Sequence, residues 1–179
     1  MAGEQAIDLH LLRPLPLVLY PQLKKLDPLE VYVPAVILTQ SQIKDLEKSL
    51  EAEQPQYATC RSLLRSGPAG SLRVNIRAVA QYALDNGNGN SASNSVDQCL
   101  GALEELDSLL LRASRNDREA SVESMKGKIN MALNALDSLL QTVPSDVLQK
   151  GKAVADSYMI TEDERGILDQ EMQQLESIL

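Results

Sequence analysis

Ile129-Asn130-Met131-Ala132-Leu133-Asn134-Ala135-Leu136-Asp137-Ser138-Leu139-Leu140-Gln141-Thr142-Val143 decides the fold. Counted from Ile129, apolar residues recur three, four, seven, ten and eleven positions on, at Ala132, Leu133, Leu136, Leu139 and Leu140, with Val143 beyond them. That period lays one apolar stripe along a helix, where a strand would alternate residue by residue. Pro144, which has no N–H to give, ends it. A stripe this wide has to be covered by other helices.

Working outward, the preceding segment has the same character. Val96, Cys99, Leu100, Leu103, Leu106, Leu109 and Leu110 mark a helix whose start reads as the capping box Ser95-Val96-Asp97-Gln98. The two helices share a string: Ala102-Leu103-Glu104-Glu105-Leu106-Asp107-Ser108-Leu109-Leu110 returns as Ala132-Leu133-Asn134-Ala135-Leu136-Asp137-Ser138-Leu139-Leu140. A single recurrence is read as shared bundle patterning rather than as a repeat architecture. Asn116, with Glu119 three residues on, reads as the start of the later helix.

Further upstream, Leu72, Ile76, Val79, Ala80 and Ala83 place a helix that ends near Asp85, and the Gly/Asn/Ser-rich stretch 86–94 reads as a flexible tether. Thr39-Gln40-Ser41-Gln42 reads as a capping box opening the first helix, continued by Ile43, Leu46 and Leu50. Pro55 interrupts that helix, which resumes through Tyr57, Cys60, Leu63 and Leu64 and stops at Ser66-Gly67-Pro68-Ala69-Gly70. The expected fold is therefore all-α, an antiparallel up-down four-helix bundle over residues 39–143.

Two extensions flank it. Residues 144–179 are expected to form two shorter helices, the second capped by Thr161-Glu162-Asp163-Glu164. Residues 1–38 carry Pro14, Pro16, Pro21, Pro28 and Pro34 among apolar pieces that include Tyr20 and Tyr32. Proline at that density argues against helix, so an extended arm is expected, its apolar residues lying on the helical body or on a partner.

Composition fits helices packed closely on helices. Hydrophobic residues make up 44% of the chain, with no Phe or Trp and five Tyr. A net charge of −8 and a pI near 4.7 disfavour binding to phosphate backbones, so no nucleic-acid partner is expected. No apolar run approaches the roughly 20 residues that span a bilayer. Met1 to Asp8 shows no targeting pattern, so any targeting peptide is expected to be absent or removed.

No residue set suggests catalysis, a cofactor or a metal. The one histidine, His10, lies in the arm, far in sequence from any nucleophile that it would serve. Cys60 and Cys99 lack metal-type spacing, and both fall at apolar helix positions. They read as buried thiols, or as partners in one disulfide. Gly87-Asn88-Gly89 has no Lys-Ser or Lys-Thr after it and no strand before it, so it is not a phosphate loop. Glu104, Glu105 and Asp107, and the acids 162–164, could in principle hold a divalent ion, but the Glu-x-x-His of di-iron bundles is missing, and a solvated face explains them.

Arginine supplies the one surface feature with direction. Arg61 and Arg65, then Arg73 and Arg77, are i,i+4 pairs on consecutive helices joined by a Gly-Pro turn. They read either as solubilising residues paired to nearby acids, or as a basic stripe that docks on an acidic partner.

Residues 40–143 resemble the PsbQ family, four-helix-bundle extrinsic subunits of the photosynthetic oxygen-evolving complex and their relatives on the chloroplast NADH-dehydrogenase-like complex. Leu72-Arg73-Val74-Asn75-Ile76 is similar to that family's Leu-Arg-x-Asp-Leu string, with Asn75 in place of the Asp. Leu106-Asp107 and the polar turn with Asn116 and Glu119-Ala120 resemble the family's passage from its third helix to its fourth, and the proline-rich arm resembles its extended N-terminus. The 86–94 tether is longer than the family's, and residues 145–179 run past its usual end.

The resemblance implies a non-catalytic auxiliary or assembly subunit, peripheral to a thylakoid photosystem or dehydrogenase complex and in the lumen sooner than the stroma. Arg61, Arg65, Arg73 and Arg77 would make salt-sensitive docking contacts, and Tyr20 and Tyr32 apolar ones from the arm. The competing expectation is a stromal or cytoplasmic helical adaptor that offers a partner the groove between bundle and C-terminal helices.

Overall fold

In a computed structural model, the backbone is described for residues 25–176 and the side chains for residues 25–160. Tyr20, His10 and the first three prolines of the expected arm lie outside the described residues. Within them the chain is all-helical, without a strand: α1 (Leu29–Leu50), α2 (Tyr57–Leu63), α3 (Gly67–Gly70), α4 (Leu72–Asp85), α5 (Gly89–Ser114), α6 (Val122–Leu140) and α7 (Ser145–Glu176).

The core is aliphatic. Ile43, Leu46, Ile76, Leu106, Leu110, Met125, Ile129, Leu136 and Leu139 are almost fully buried together. α6 places its whole stripe there, from Ile129 to Leu140, and Val143 follows it inside. α5 packs extensively on α6, and Ala102 and Ala113 of α5 and Ala132 and Ala135 of α6 are all buried. α1, α4, α5 and α6 form a closed ring, each packed against two neighbours, and α2 and α3 fill the corner between α1 and the α4–α5 side. α7 lies against α1, outside this ring.

The arm expected over residues 1–38 is corrected from Leu29 onward. The chain is helical ten residues before Thr39, with Pro34 inside α1. Pro28 precedes the first helical residue, a place where a missing N–H is harmless, and Pro34 sits buried in the second turn. Its ring faces α7, 3.6 Å from where a Cβ on Gly151 would stand. Packing thus compensates for the hydrogen bond that the proline withholds. Tyr32, expected to be on the arm, is 9% exposed in the core.

Three helix starts also move, for related reasons. Thr39 and Ser95 are buried in mid-helix, and each hydroxyl donates back to the carbonyl four residues earlier, Thr39 to Ala35 at 2.9 Å and Ser95 to Ser91 at 3.1 Å. The tether is shorter than the 86–94 stretch. Asn86 closes α4, Gly87 turns at φ 83°, and α5 begins at Gly89, where burial of Ala92 gives Asn- and Ser-rich sequence a reason to be helical. Asn116 ends a helix instead of starting one: at φ 63° it adopts the left-handed conformation that closes α5, with the Asp117 N–H bonded to the Arg112 carbonyl. The cap of α6 is Ser121, whose Oγ accepts the Ser124 N–H at 3.1 Å.

The C-terminal extension is one helix where two were expected, because α7 runs through Thr161 without a break. It buries Val147, Gly151 and Ala155, spaced four apart, against α1. The pause at Pro55 and the Gly-Pro corner stand where the sequence placed them, the second as the short helix α3.

Candidate surface cleft

The four arginines are not a continuous stripe. Arg61 lies on α2 and Arg65 just beyond its end, and both reach across to Asp107 of α5. Arg61 does so through two bonds, Nε at 3.0 Å and Nη2 at 3.1 Å, and Arg65 through Nη2 at 2.7 Å. Burial pulls the Asp107 carboxyl up, but the two guanidinium groups outweigh it and hold it below its ordinary value. Arg73 on α4 pairs with Glu104 at 2.9 Å, both side chains largely in water. Arg77 has no ion-pair partner among the described residues and lies one turn further along α4, in a separate shallow hollow with Leu84, Gly89 and Asp97.

Of the acids considered for a metal, Glu104, Glu105 and Asp107 are engaged, and the side chains of residues 162–164 lie outside the described residues. Glu104 bonds Arg73, Asp107 bonds Arg61 and Arg65, and Glu105 bonds Lys128 of α6. Among the described residues, no three His, Cys, Asp or Glu side chains gather as metal ligands.

Between these pairs lies a cleft of about 560 Å³. Its floor is aliphatic, from Ile43 of α1, Leu64 beyond α2, Leu72 of α4, and Leu100 and Leu103 of α5. Arg65, Arg73, Glu104 and Asp107 stand at its rim. Gln42 of α1, not itself in the lining, holds the turn that carries Ala69 and Gly70. Its Nε2 donates to the Leu63 and Ser66 carbonyls at 2.8 and 3.0 Å, and its Oε1 accepts the Ala69 N–H at 2.9 Å. One side chain thereby satisfies three backbone groups of a turn that bends through the positive φ of Gly67.

Residue spacing predicted the arginine pairs but not their partners. Asp107 is 46 residues from Arg61, and Glu104 is 31 from Arg73, so no local pattern connects them. Gln42 was read as part of a capping box, and its actual role depends on a turn more than twenty residues away.

At the start of α1, the Asp27 N–H donates to the Tyr32 hydroxyl at 3.1 Å, and its carbonyl accepts from the Tyr82 hydroxyl at 2.8 Å. Cys60 and Cys99 are free, buried thiols; burial raises both, Cys99 to about 12. Large apolar residues that remain exposed include Val74, at 67%, and Val154, Tyr158 and Ile160 on α7. Among the described residues no helix is long and apolar enough to cross a membrane.

These features define an all-helical domain whose distinguishing surface is an ion-rimmed aliphatic cleft. Residues 28–154 match a family described as a domain of unknown function (DUF7880), and the chain belongs to that family. No curated protein and no solved structure matches it.

Proposed function

We propose that the chain is a non-catalytic, PsbQ-like auxiliary or assembly subunit that docks on a thylakoid photosynthetic membrane complex of photosystem II or dehydrogenase type and stabilises it. In this reading α1, α4, α5 and α6 are the up-down antiparallel four-helix bundle, and the protein is peripheral to the membrane in the lumen.

The observation that carries the proposal is the disposition of Leu72-Arg73-Val74-Asn75-Ile76 at the start of α4. Leu72 and Ile76 are buried, while Arg73 and Val74 face water. The string that resembles the PsbQ family thus anchors the helix and also presents a cation beside an apolar side chain, as a docking face needs. Arg77 extends that cationic edge by one turn.

The test is fractionation of chloroplasts expressing the tagged protein, with protease treatment of intact thylakoids and native gels of solubilised complexes. Protection together with migration in a photosystem or dehydrogenase band is the expected result. A protease-sensitive or stromal pool overturns the lumenal assignment.

A second reading, a helical adaptor in the stroma or cytoplasm, is favoured by α7. Val154 and Tyr158 lie one turn apart on it and are 43% and 60% exposed. Removing everything after Val143 would separate the readings poorly, because it also uncovers Val33 and Pro34. Replacing Val154 and Tyr158 by lysine leaves the buried face of α7 intact. An adaptor loses its partner on that change, whereas the PsbQ-like subunit keeps its complex.

A further inference from the structure

We infer that the cleft between α1, α3, α4 and α5 receives a segment of a partner protein that presents aliphatic side chains beside a carboxylate. The inference rests on the docking reading above and names the chemistry of the surface that does the docking.

The floor sets the apolar half of the recognition. Ile43, Leu64, Leu72, Leu100 and Leu103 come from four parts of the chain and leave about 560 Å³ between them, room for more than one aliphatic side chain. The cleft is open to solvent and is not an enclosed cavity, which suits a segment of a partner chain better than a fully buried small molecule. Ala69 and Gly70, both small, line one side of it. A Cβ on Gly70 would come within 3.0 Å of the Arg65 carbonyl oxygen.

Charge sets the other half. Asp107 is already held by the two-bond grip of Arg61, so Arg65 is the second cation on a single carboxylate. Arg65 can turn to an incoming carboxylate without leaving Asp107 unpaired. Arg73 is as free to exchange, because its bond to Glu104 is between two side chains more than half exposed, and such a pair contributes little in water. On a chain of net charge −8, three arginines share two carboxylates at this rim, with Arg61 gripping Asp107 from outside the lining, so one guanidinium is in surplus beside the aliphatic floor. A partner with a lysine in place of the acid would find both rim carboxylates, Glu104 and Asp107, already bonded to arginine, so the rim favours the acid over the base.

The test titrates the full chain, methyl-labelled at leucine and isoleucine, with the blocked peptide acetyl-Leu-Asp-Leu-Leu-amide and with its lysine counterpart. Saturable shifts at Leu64, Leu72, Leu100 and Leu103 are expected with the acidic peptide, with affinity at least about tenfold weaker for the basic one, the size of effect expected from one charge-assisted hydrogen bond. The variant Arg65→Ala/Arg73→Ala keeps the Arg61 grip on Asp107. It should match the parent in helix content and melting while losing a similar factor for the acidic peptide. No saturable shift at millimolar peptide, equal response to both peptides, or undiminished binding by the double variant would each overturn the inference. The titration uses the isolated chain, so its failure leaves thylakoid association standing, and loss of that association leaves the titration result standing.

Discussion

Asp107 is the residue on which the cleft turns, because one half-buried carboxylate holds two arginines from the α2 corner against α5. Its folded-state pKa is depressed, so in acid the unfolded chain takes up its proton first. The stabilisation is whole above the ordinary carboxylate value of about 3.9 and is lost as pH falls through the lower folded value. Asp107→Asn should therefore cost about 1 kcal/mol at pH 7 in urea unfolding, with the gap to the parent closing below about pH 4. A gap that stays constant down to pH 3 would mean that the residue acts through packing and not through its charge. Gln42 acts on the same corner without charge. Gln42→Ala leaves the Leu63 and Ser66 carbonyls and the Ala69 N–H without their partner, and a loss of about 1–2 kcal/mol is expected in the same assay. The Arg73→Ala exchange should change stability by less than about 0.5 kcal/mol, since it breaks only an exposed pair.

Helices form here where an apolar period meets a partner, and that explains which elements were readable. α4 stands almost where the sequence placed it, and α6 keeps its expected stripe although its start moves to Val122, because Leu72, Ile76, Val79 and Ala83, and Ile129 through Leu140, are periodic and buried. The misread boundaries all involve a polar or proline residue whose local preference yields to packing. Thr39 and Ser95 resemble caps in sequence, yet their hydroxyls are satisfied within the helix once burial has removed water. Asn116 was a turn signal assigned to the wrong side of the turn. Pro34 could not be read as helical without knowing that α7 covers it. The cleft was half legible, since its arginines were singled out but the acids and leucines that complete it lie on other elements. Pro34 also leads to a tight contact between α1 and α7, at Gly151, where an added Cβ would stand 2.5 Å from Val33 Cγ1 and 3.2 Å from Val33 Cβ. Valine, branched at Cβ, has little freedom to turn aside. Gly151→Ala should then cost about 1–3 kcal/mol and speed amide exchange in α7 while α5 and α6 stay protected. Adding Val33→Ala removes the obstructing methyls and should restore part of the protection, a rescue that a simple helix-propensity effect would not give.

At the scale of the molecule, Tyr32 is the one buried aromatic among the described residues, and the order of the core depends on many Leu, Ile, Val and Ala contacts shared around the ring of α1, α4, α5 and α6. Such a core should open as one unit, whereas α2, with Cys60 as its only buried residue, hangs on α5 as a satellite. The two thiols sit on either side of that division. Cys99 is fully buried in α5, and burial raises its thiol to about 12, so it reacts as a thiolate only after the ring has opened. Cys60 needs only the release of α2. Under alkylation at pH 8 in rising urea, Cys60 should label first, with a weak urea dependence that reports a small opening, and Cys99 later, with the full dependence of global unfolding. Leu136→Ala, which cuts a fully buried side chain facing the ring and should cost about 2–5 kcal/mol, would speed Cys99 labelling in proportion to the lost stability and leave the early Cys60 phase unchanged. If both thiols label together with the full urea dependence, α2 belongs to the cooperative unit. The corner that Gln42 and Asp107 hold would then be as rigid as the ring itself, and the cleft would be preformed before any partner arrives.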